Sequence, residues 1–290
     1  MPLDRSALQR AVESVGPYQR PYPMYFEEQP GLEVVPVVEL MRAPVLRGYA
    51  ARAVKEWSDR PLDEDPRAAV SRLVRRYLGS LTTAVLAPLA HGMAIDVSPE
   101  RVGAIVQKDL PQGIVLRVDE VLLSSERPAT WAVDGRDVGS LARLRETALA
   151  SYFRHLAWQF GEVVAAIKVS PQLLWSTAAE QVDLLYDNAA DGPAADVFAR
   201  AEADREFMLF GDGVPGIDGP NPLQGHLYWE VAEGPEAGHR IQVRRVCCAN
   251  FVVAGRTQGY CRNCDIITPQ RRIEMWNEWR ESVRAQGGMR

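Results

Sequence analysis

The chain has 290 residues, 47% hydrophobic and 24% charged, a balance that buries a core and excludes a disordered chain, a collagen-like repeat or a small disulfide-stapled module. Its 33 basic and 38 acidic residues leave a formal charge of −5, which argues against a nucleic-acid binder. Ser6 with Gln9 predicts a capping box opening a helix to about Val15. Residues 19–31, rich in Pro, aromatic and acidic side chains, read as irregular. A helical pattern from Val37 to Trp57 should kink or break at Pro44. After an acidic connector at 61–65, a helix is expected from Pro66 to Leu86, with Val70, Leu73, Val74, Tyr77 and Leu81 at helical spacing.

Tyr77 to Ile95 contains no charged residue, but Gly79, Ser80, Thr82, Thr83, Pro88, His91 and Gly92 make it a buried helix ending near Pro88 rather than a membrane span. Strand patterns at 102–107 and 114–119 flank a turn at 109–113 and predict a hairpin. Helices follow over 141–167, then from Pro171 behind the cap Ser170, then over about 194–209. His91 and His155 fall in these helical stretches as packing or capping residues. Residues 211–225 hold five glycines and three prolines and mark a linker. Beyond it, 226–231 and 240–246 alternate in character and form a second hairpin around 233–238. Thr268-Pro269 caps a last helix carrying Ile273, Trp276, Trp279 and Val283. The expected fold class is α+β: a mainly helical body with an inserted β-hairpin, residues 1–210, a linker, 211–225, and a small C-terminal hairpin-plus-helix lobe, 226–290.

All four cysteines fall in one 18-residue window of that lobe: Cys247, Cys248, Cys261 and Cys264. Clustering of this kind points to a bound metal rather than to cross-links, which stabilise most when they close long loops. Cys261 and Cys264 form a Cys-x-x-Cys knuckle, compatible with zinc, an iron–sulfur cluster or redox thiols. The vicinal pair Cys247-Cys248 is more telling, because adjacent side chains diverge and chelate a single tetrahedral ion poorly. A [2Fe–2S] cluster, with two irons to share, suits the spacing better; zinc and redox thiols stay open. No glycine-rich nucleotide fingerprint, P-loop or His-Glu-x-x-His motif is present, so electrons should arrive from a separate protein or reductant.

The runs Arg244–Phe251 and Gly259–Cys264 resemble the C-terminal signature of FhuF-like ferric siderophore reductases, with an Arg two residues before a Cys-Cys pair, an aromatic three after it, and a Tyr-flanked Cys-x-x-Cys. Leu173-Leu-Trp175 is a looser likeness. The resemblance implies that the four cysteines hold a [2Fe–2S] cofactor and that the lobe carries the cluster while the helical body forms one wall of a siderophore site. It implies one-electron reduction of a cytoplasmic ferric siderophore, of hydroxamate type, with release of Fe²⁺. It also implies an external donor such as a ferredoxin-like or flavin reductase protein. Two departures stand out: twelve residues, not ten, separate Cys248 from Cys261, and Cys264 is followed by Asp265 rather than the frequent Pro. A zinc-stabilised siderophore-binding protein and a [2Fe–2S] electron carrier or redox sensor are the rival readings. From His239 onward, ten arginines and four acidic residues give +6, against −11 for the rest. Arg244, Arg245, Arg256, Arg262, Arg271 and Arg272 are therefore candidates for docking an anionic siderophore or an acidic donor. No segment reads as transmembrane, and peripheral membrane association is compatible with the sequence.

Overall fold

The computed structural model describes residues 5–14, 23–57, 65–127, 133–189, 195–231, 238, 240–249 and 260–285. The fold is α+β, and helices dominate it. Its axis is α4, Pro66–Ala90, which packs against α1 (Ser6–Ser14), α3 (Ala43–Trp57), α5 (Leu141–Ile167), α6 (Pro171–Ala189) and α7 (Ala195–Phe210). Asp65 starts α4 by accepting the Arg67 N–H at 2.9 Å, and Pro66 sits at the first helical position, where no N–H is needed. Encirclement by other helices accounts for the charge-free run: every residue from Tyr77 to Ala90 is buried. The helix passes through Pro88 to Ala90, past the expected end. The proline lies in the last turn, and the N–H groups of His91 and Gly92 close it onto Pro88 and Leu89. No helix among the described residues is long and apolar enough to cross a membrane.

The break expected at Pro44 is present. Helix α2, Val37–Leu40, stops short of α3, which begins one residue before the proline. The hairpin of β4 (Val102–Gln107) and β5 (Leu110–Leu116) is also present, but its turn is tighter and earlier than 109–113. Lys108 and Asp109, at φ 51° and 58°, make a two-residue turn with both residues in the left-handed region, a geometry that matches the right-handed twist of an antiparallel pair. Pro111 to Gly113, expected in the turn, instead lie within β5. The hairpin is the centre of a four-stranded sheet in the order β1-β5-β4-β2, with β1 at Met24–Tyr25 and β2 at Glu33–Pro36. A second sheet joins β3 (Met93–Ala94), β6 (Leu122–Leu123) and β7 (Arg136–Asp137).

After α7, residues 211–225 are held by Asn221, whose amide donates to the carbonyls of Met208 and Gly211 at 2.8 Å each. Val214 and Leu223 enter the main apolar core. Strands β8 (Leu227–Val231) and β9 (Arg240–Arg244) pair antiparallel as expected, and most of the connection between them lies outside the described residues. The final helix α8, Pro269–Ala285, starts at Thr268, whose hydroxyl accepts the Arg271 N–H at 3.3 Å. Ile241 and Trp276, with Ile273 and Trp279 against them, form a small separate core that fastens α8 to β9.

Candidate metal centre

The cysteines lie where β9 runs out and before α8 begins. One vicinal cysteine pairs with each cysteine of the knuckle. The Cys248 and Cys261 sulfurs are 3.7 Å apart, and Cys247 lies within electrostatic reach of Cys264. Ala249, in the left-handed region at φ 55°, turns the chain so that its N–H donates to Cys247 Sγ at 3.3 Å. The Cys264 N–H bonds the Cys261 carbonyl at 3.0 Å and closes the knuckle. Cys248 and Cys264 are buried, and Cys247 and Cys261 are half-buried. Sharing a proton with its partner lowers the Cys248 thiol to about 6 and Cys264 to about 7, against the cost of burial. Their partners Cys261 and Cys247 are pushed up. Among the described residues, no three His, Cys, Asp or Glu side chains converge as a single metal ion requires.

Glu180 of α6, with no exposed surface, fixes this segment to the helical body. It accepts from Arg75 of α4 at 2.7 Å, from Arg244 of β9 at 3.0 Å, and from the amide of Asn263 inside the knuckle. Arg75 also points Nη1 at Cys261 Sγ, at 4.0 Å. Burial would push the Glu180 carboxyl up, but Arg75, Arg244, Asn263 and Arg262 overcome it and hold the group below the usual glutamate range. The same face of α6 presents Ser176 and Thr177 to Arg244, and Asp183, which accepts from Trp229 Nε1 of β8 at 3.0 Å. The second hairpin therefore sits on a polar stripe of α6.

The candidate arginines divide by location. Arg244 is buried on Glu180, and its N–H bonds the Asn263 carbonyl at 3.1 Å. Arg272 is buried too, donating to Glu230 at 2.8 Å and to the Cys264 carbonyl at 2.7 Å. These two brace the cysteine segment from inside. Arg262, half-buried, lays its guanidinium over Trp279 at 3.9 Å and lies 5.6 Å from the Trp276 ring. Arg245 and Arg271 are exposed, Arg245 over Tyr228 and Arg271 beside Glu274 and Glu278. Arg256 lies outside the described residues, as does His239. His155 is a satisfied core residue: Nδ1–H donates to the Val97 carbonyl and Nε2 accepts from Tyr77. His91 is buried at the end of α4 against Ser14. Trp276 packs in the satellite core beside the knuckle, and Trp175 stacks edge-on to Phe160 of α5.

Arg75, Glu180 and Asn263 were not among the residues singled out from sequence. Glu180 carried a signal, being a carboxylate on the Ala- and Leu-rich inner face of α6. Asn263 sat inside the knuckle, but Arg75 had nothing to separate it from the other arginines of α4.

In sequence, residues 71–232, more than half of the chain, match the family described as ferric iron reductase FhuF-like transporter. The match spans Arg75 and Glu180 and ends before Cys247. No curated protein matches the chain. Among solved structures, aerobactin synthetase IucC from a hypervirulent pathotype of Klebsiella pneumoniae is similar at 14% identity and a TM-score of 0.48, over 67% of this chain and 36% of that one. ATP-bound aerobactin synthetase IucA from the same pathotype is similar at 18% identity and a TM-score of 0.46, over 68% of this chain and 38% of that one. The chain spans little more than a third of either synthetase.

Proposed function

We propose, because this chain belongs to the FhuF-like ferric iron reductase family, that it reduces the Fe³⁺ of a siderophore and releases Fe²⁺, with Cys247, Cys248, Cys261 and Cys264 holding a [2Fe–2S] cluster. The observation that carries the cluster reading is the pairing of the sulfurs. A metal–thiolate bond of about 2.3 Å at a tetrahedral angle sets two sulfurs about 3.8 Å apart; Cys248 and Cys261 stand at 3.7 Å. With Cys247 and Cys264 supplying the other two thiolates, one vicinal and one knuckle cysteine on each iron suit a two-iron cluster better than one zinc ion with four.

When bound, the cluster supplies the single electron that converts Fe³⁺ to Fe²⁺ in the substrate. Hard oxygen donors hold Fe²⁺ far more weakly, so the chelate then lets the metal go. The protein's own part is to hold and shield. Burial of Cys248 and Cys264 keeps water from half the sulfurs. The Ala249 N–H and the Arg75 guanidinium direct positive charge at Cys247 and Cys261, which favours the more negative, reduced state. Glu180 fixes Arg75, Arg244 and Asn263 in place behind the sulfurs. The exposed Arg245 and Arg271 lie on the +6 C-terminal part of the chain and suit an acidic electron donor, such as a ferredoxin-like or flavin reductase protein in the cytoplasm.

The deciding experiment combines iron, sulfide and zinc analysis with a visible spectrum of the anaerobically purified protein. About two irons and two sulfides per chain, with charge-transfer bands in roughly the 400–600 nm region, are expected. Cys248→Ser and Cys264→Ser should lose those bands, one variant for each pair. Stoichiometric zinc without iron would overturn the cluster. Reduced protein mixed with a ferric siderophore under a ferrous trap must then release Fe²⁺ faster than reductant alone, or the reductase reading is wrong.

A further inference from the structure

Among the described residues, one buried carboxylate oxygen has no hydrogen-bond donor: Oδ1 of Asp265, the residue that follows Cys264. The fully buried acids are all neutralised. Glu180 holds Arg75 and Arg244, Asp183 holds Arg205, and Asp204 holds Arg145. The orphaned atoms of Ser80, Gln159 and Tyr186 belong to neutral groups in α4, α5 and α6. A buried polar atom without a partner weakens a fold, so the Asp265 oxygen calls for a role other than stability. Arg272, the buried cation of the same segment, does not serve it. Its nitrogens are committed to Glu230 and to the carbonyls of Cys264 and Ile267.

Asp265 acts on sulfur instead. Its charge reaches Cys264 and works against the partner Cys247, which lowers that thiol. Two of the other sulfurs have the opposite surroundings. Arg75 Nη1 stands 4.0 Å from Cys261, and the Ala249 N–H donates to Cys247 at 3.3 Å. The four sulfurs therefore do not share one field: positive groups face Cys261 and Cys247, and a half-buried carboxylate sits beside Cys264.

Resting on the cluster reading above, we propose that Asp265 sets the potential of the centre, its carboxylate holding the cluster at a lower midpoint than a neutral residue would. Reduction adds a negative charge to four thiolates and two irons. A fixed anion beside one of the sulfurs raises the energy of that reduced state more than that of the oxidised one. The consequence suits the substrate. Hard oxygen donors bind Fe³⁺ more tightly than Fe²⁺, so chelation itself lowers the potential of the iron to be reduced, and a stronger reductant is needed. Arg75 pulls the other way, and the midpoint reflects the balance of the two.

An anaerobic spectroscopic redox titration of the holoprotein reads this directly, without turnover. Asp265→Asn keeps the shape and removes the charge. At a fixed applied potential its reduced-to-oxidised ratio should rise about tenfold, a midpoint about 59 mV higher for a one-electron couple. Asp265→Ser should shift in the same direction, which keeps the test open if the Asn variant fails to take up its cluster. Asp265→Glu restores the charge and should return the ratio to near wild type. Glu281→Gln, at an exposed position of α8 about 13 Å further along the helix than Arg272, should leave it unchanged. A loaded cluster whose midpoint is unchanged or lower in the neutral variants, or a Glu281→Gln shift as large as theirs, would overturn this assignment and leave the cluster reading standing. Protein that purifies with zinc and no iron would overturn both.

Discussion

Replacing Glu180 with Gln changes almost no volume and removes one negative charge from the point where α4, α6, β9 and the knuckle meet. Arg244 is 2% exposed and would be left as an uncompensated buried cation. Breaking a buried pair by removing one partner costs about 3–5 kcal/mol. The Arg75 side chain is 31% exposed, so water screens its share and Arg244 accounts for most of the loss. At roughly 2–4 °C per kcal/mol for a chain of this size, the midpoint should fall by roughly 6–20 °C. Urea unfolding and a thermal scan of the holoprotein measure it. The pH dependence supplies a signature. The folded carboxyl of Glu180 lies below its unfolded value, so its stabilisation is present above that value and fades as pH falls through the folded one. The gap between wild type and Glu180→Gln should therefore close in acid. Adding Arg244→Met removes the stranded cation and should recover part of the loss. A Glu180→Gln protein within about 1 kcal/mol of wild type at neutral pH would refute the reasoning.

Arg75→Gln takes a cation from 4.0 Å of the Cys261 sulfur. With the screening expected at a half-exposed site, the midpoint potential should drop by roughly 20–60 mV in a spectroscopic redox titration; an unchanged or higher value would show that Arg75 does not act on the centre. His155 is held neutral inside the core, chiefly by burial, and titrates near about 4 rather than 6.5. Stability from this group is complete above 6.5 and is lost as pH falls towards 4, a difference of about 3 kcal/mol. His155→Gln should be less stable at pH 7 and should lose less on going to pH 4.5, as followed by urea midpoints; parallel losses would contradict the assignment.

Much of this was legible in the sequence because local rules decided it. Asp65 with Pro66 marked the start of α4, Pro44 the break before α3, and alternation the two hairpins. The turn at Lys108-Asp109 was missed because Pro111 and Gly113 are commoner turn residues. Their role is set instead by strand β1, which runs so close that a Cβ on Gly113 would lie 2.1 Å from the Pro23 carbonyl oxygen. At the centre, clustering exposed the cysteines and the charge count exposed the arginines. Neither could reveal that Arg244 and Arg272 point inward, because exposure is decided by what α6 and β8 bring to meet them. Arg75 stands 186 positions before Cys261, and only the packing of α4 against α6 brings the two together.

The way the knuckle is seated bears on engineering. Its support comes from elements far upstream, through a carboxylate and an arginine inside the family-matched region, and not from the apolar surface of the tail alone. The cysteine segment is therefore no portable cassette. Grafted onto a scaffold without counterparts of Arg75 and Glu180, it would bring its four thiols and an Arg244 with no counter-charge. A transplant of the run from Arg244 to Cys264 would have to carry the matching side chains of two helices, α4 and α6, with it.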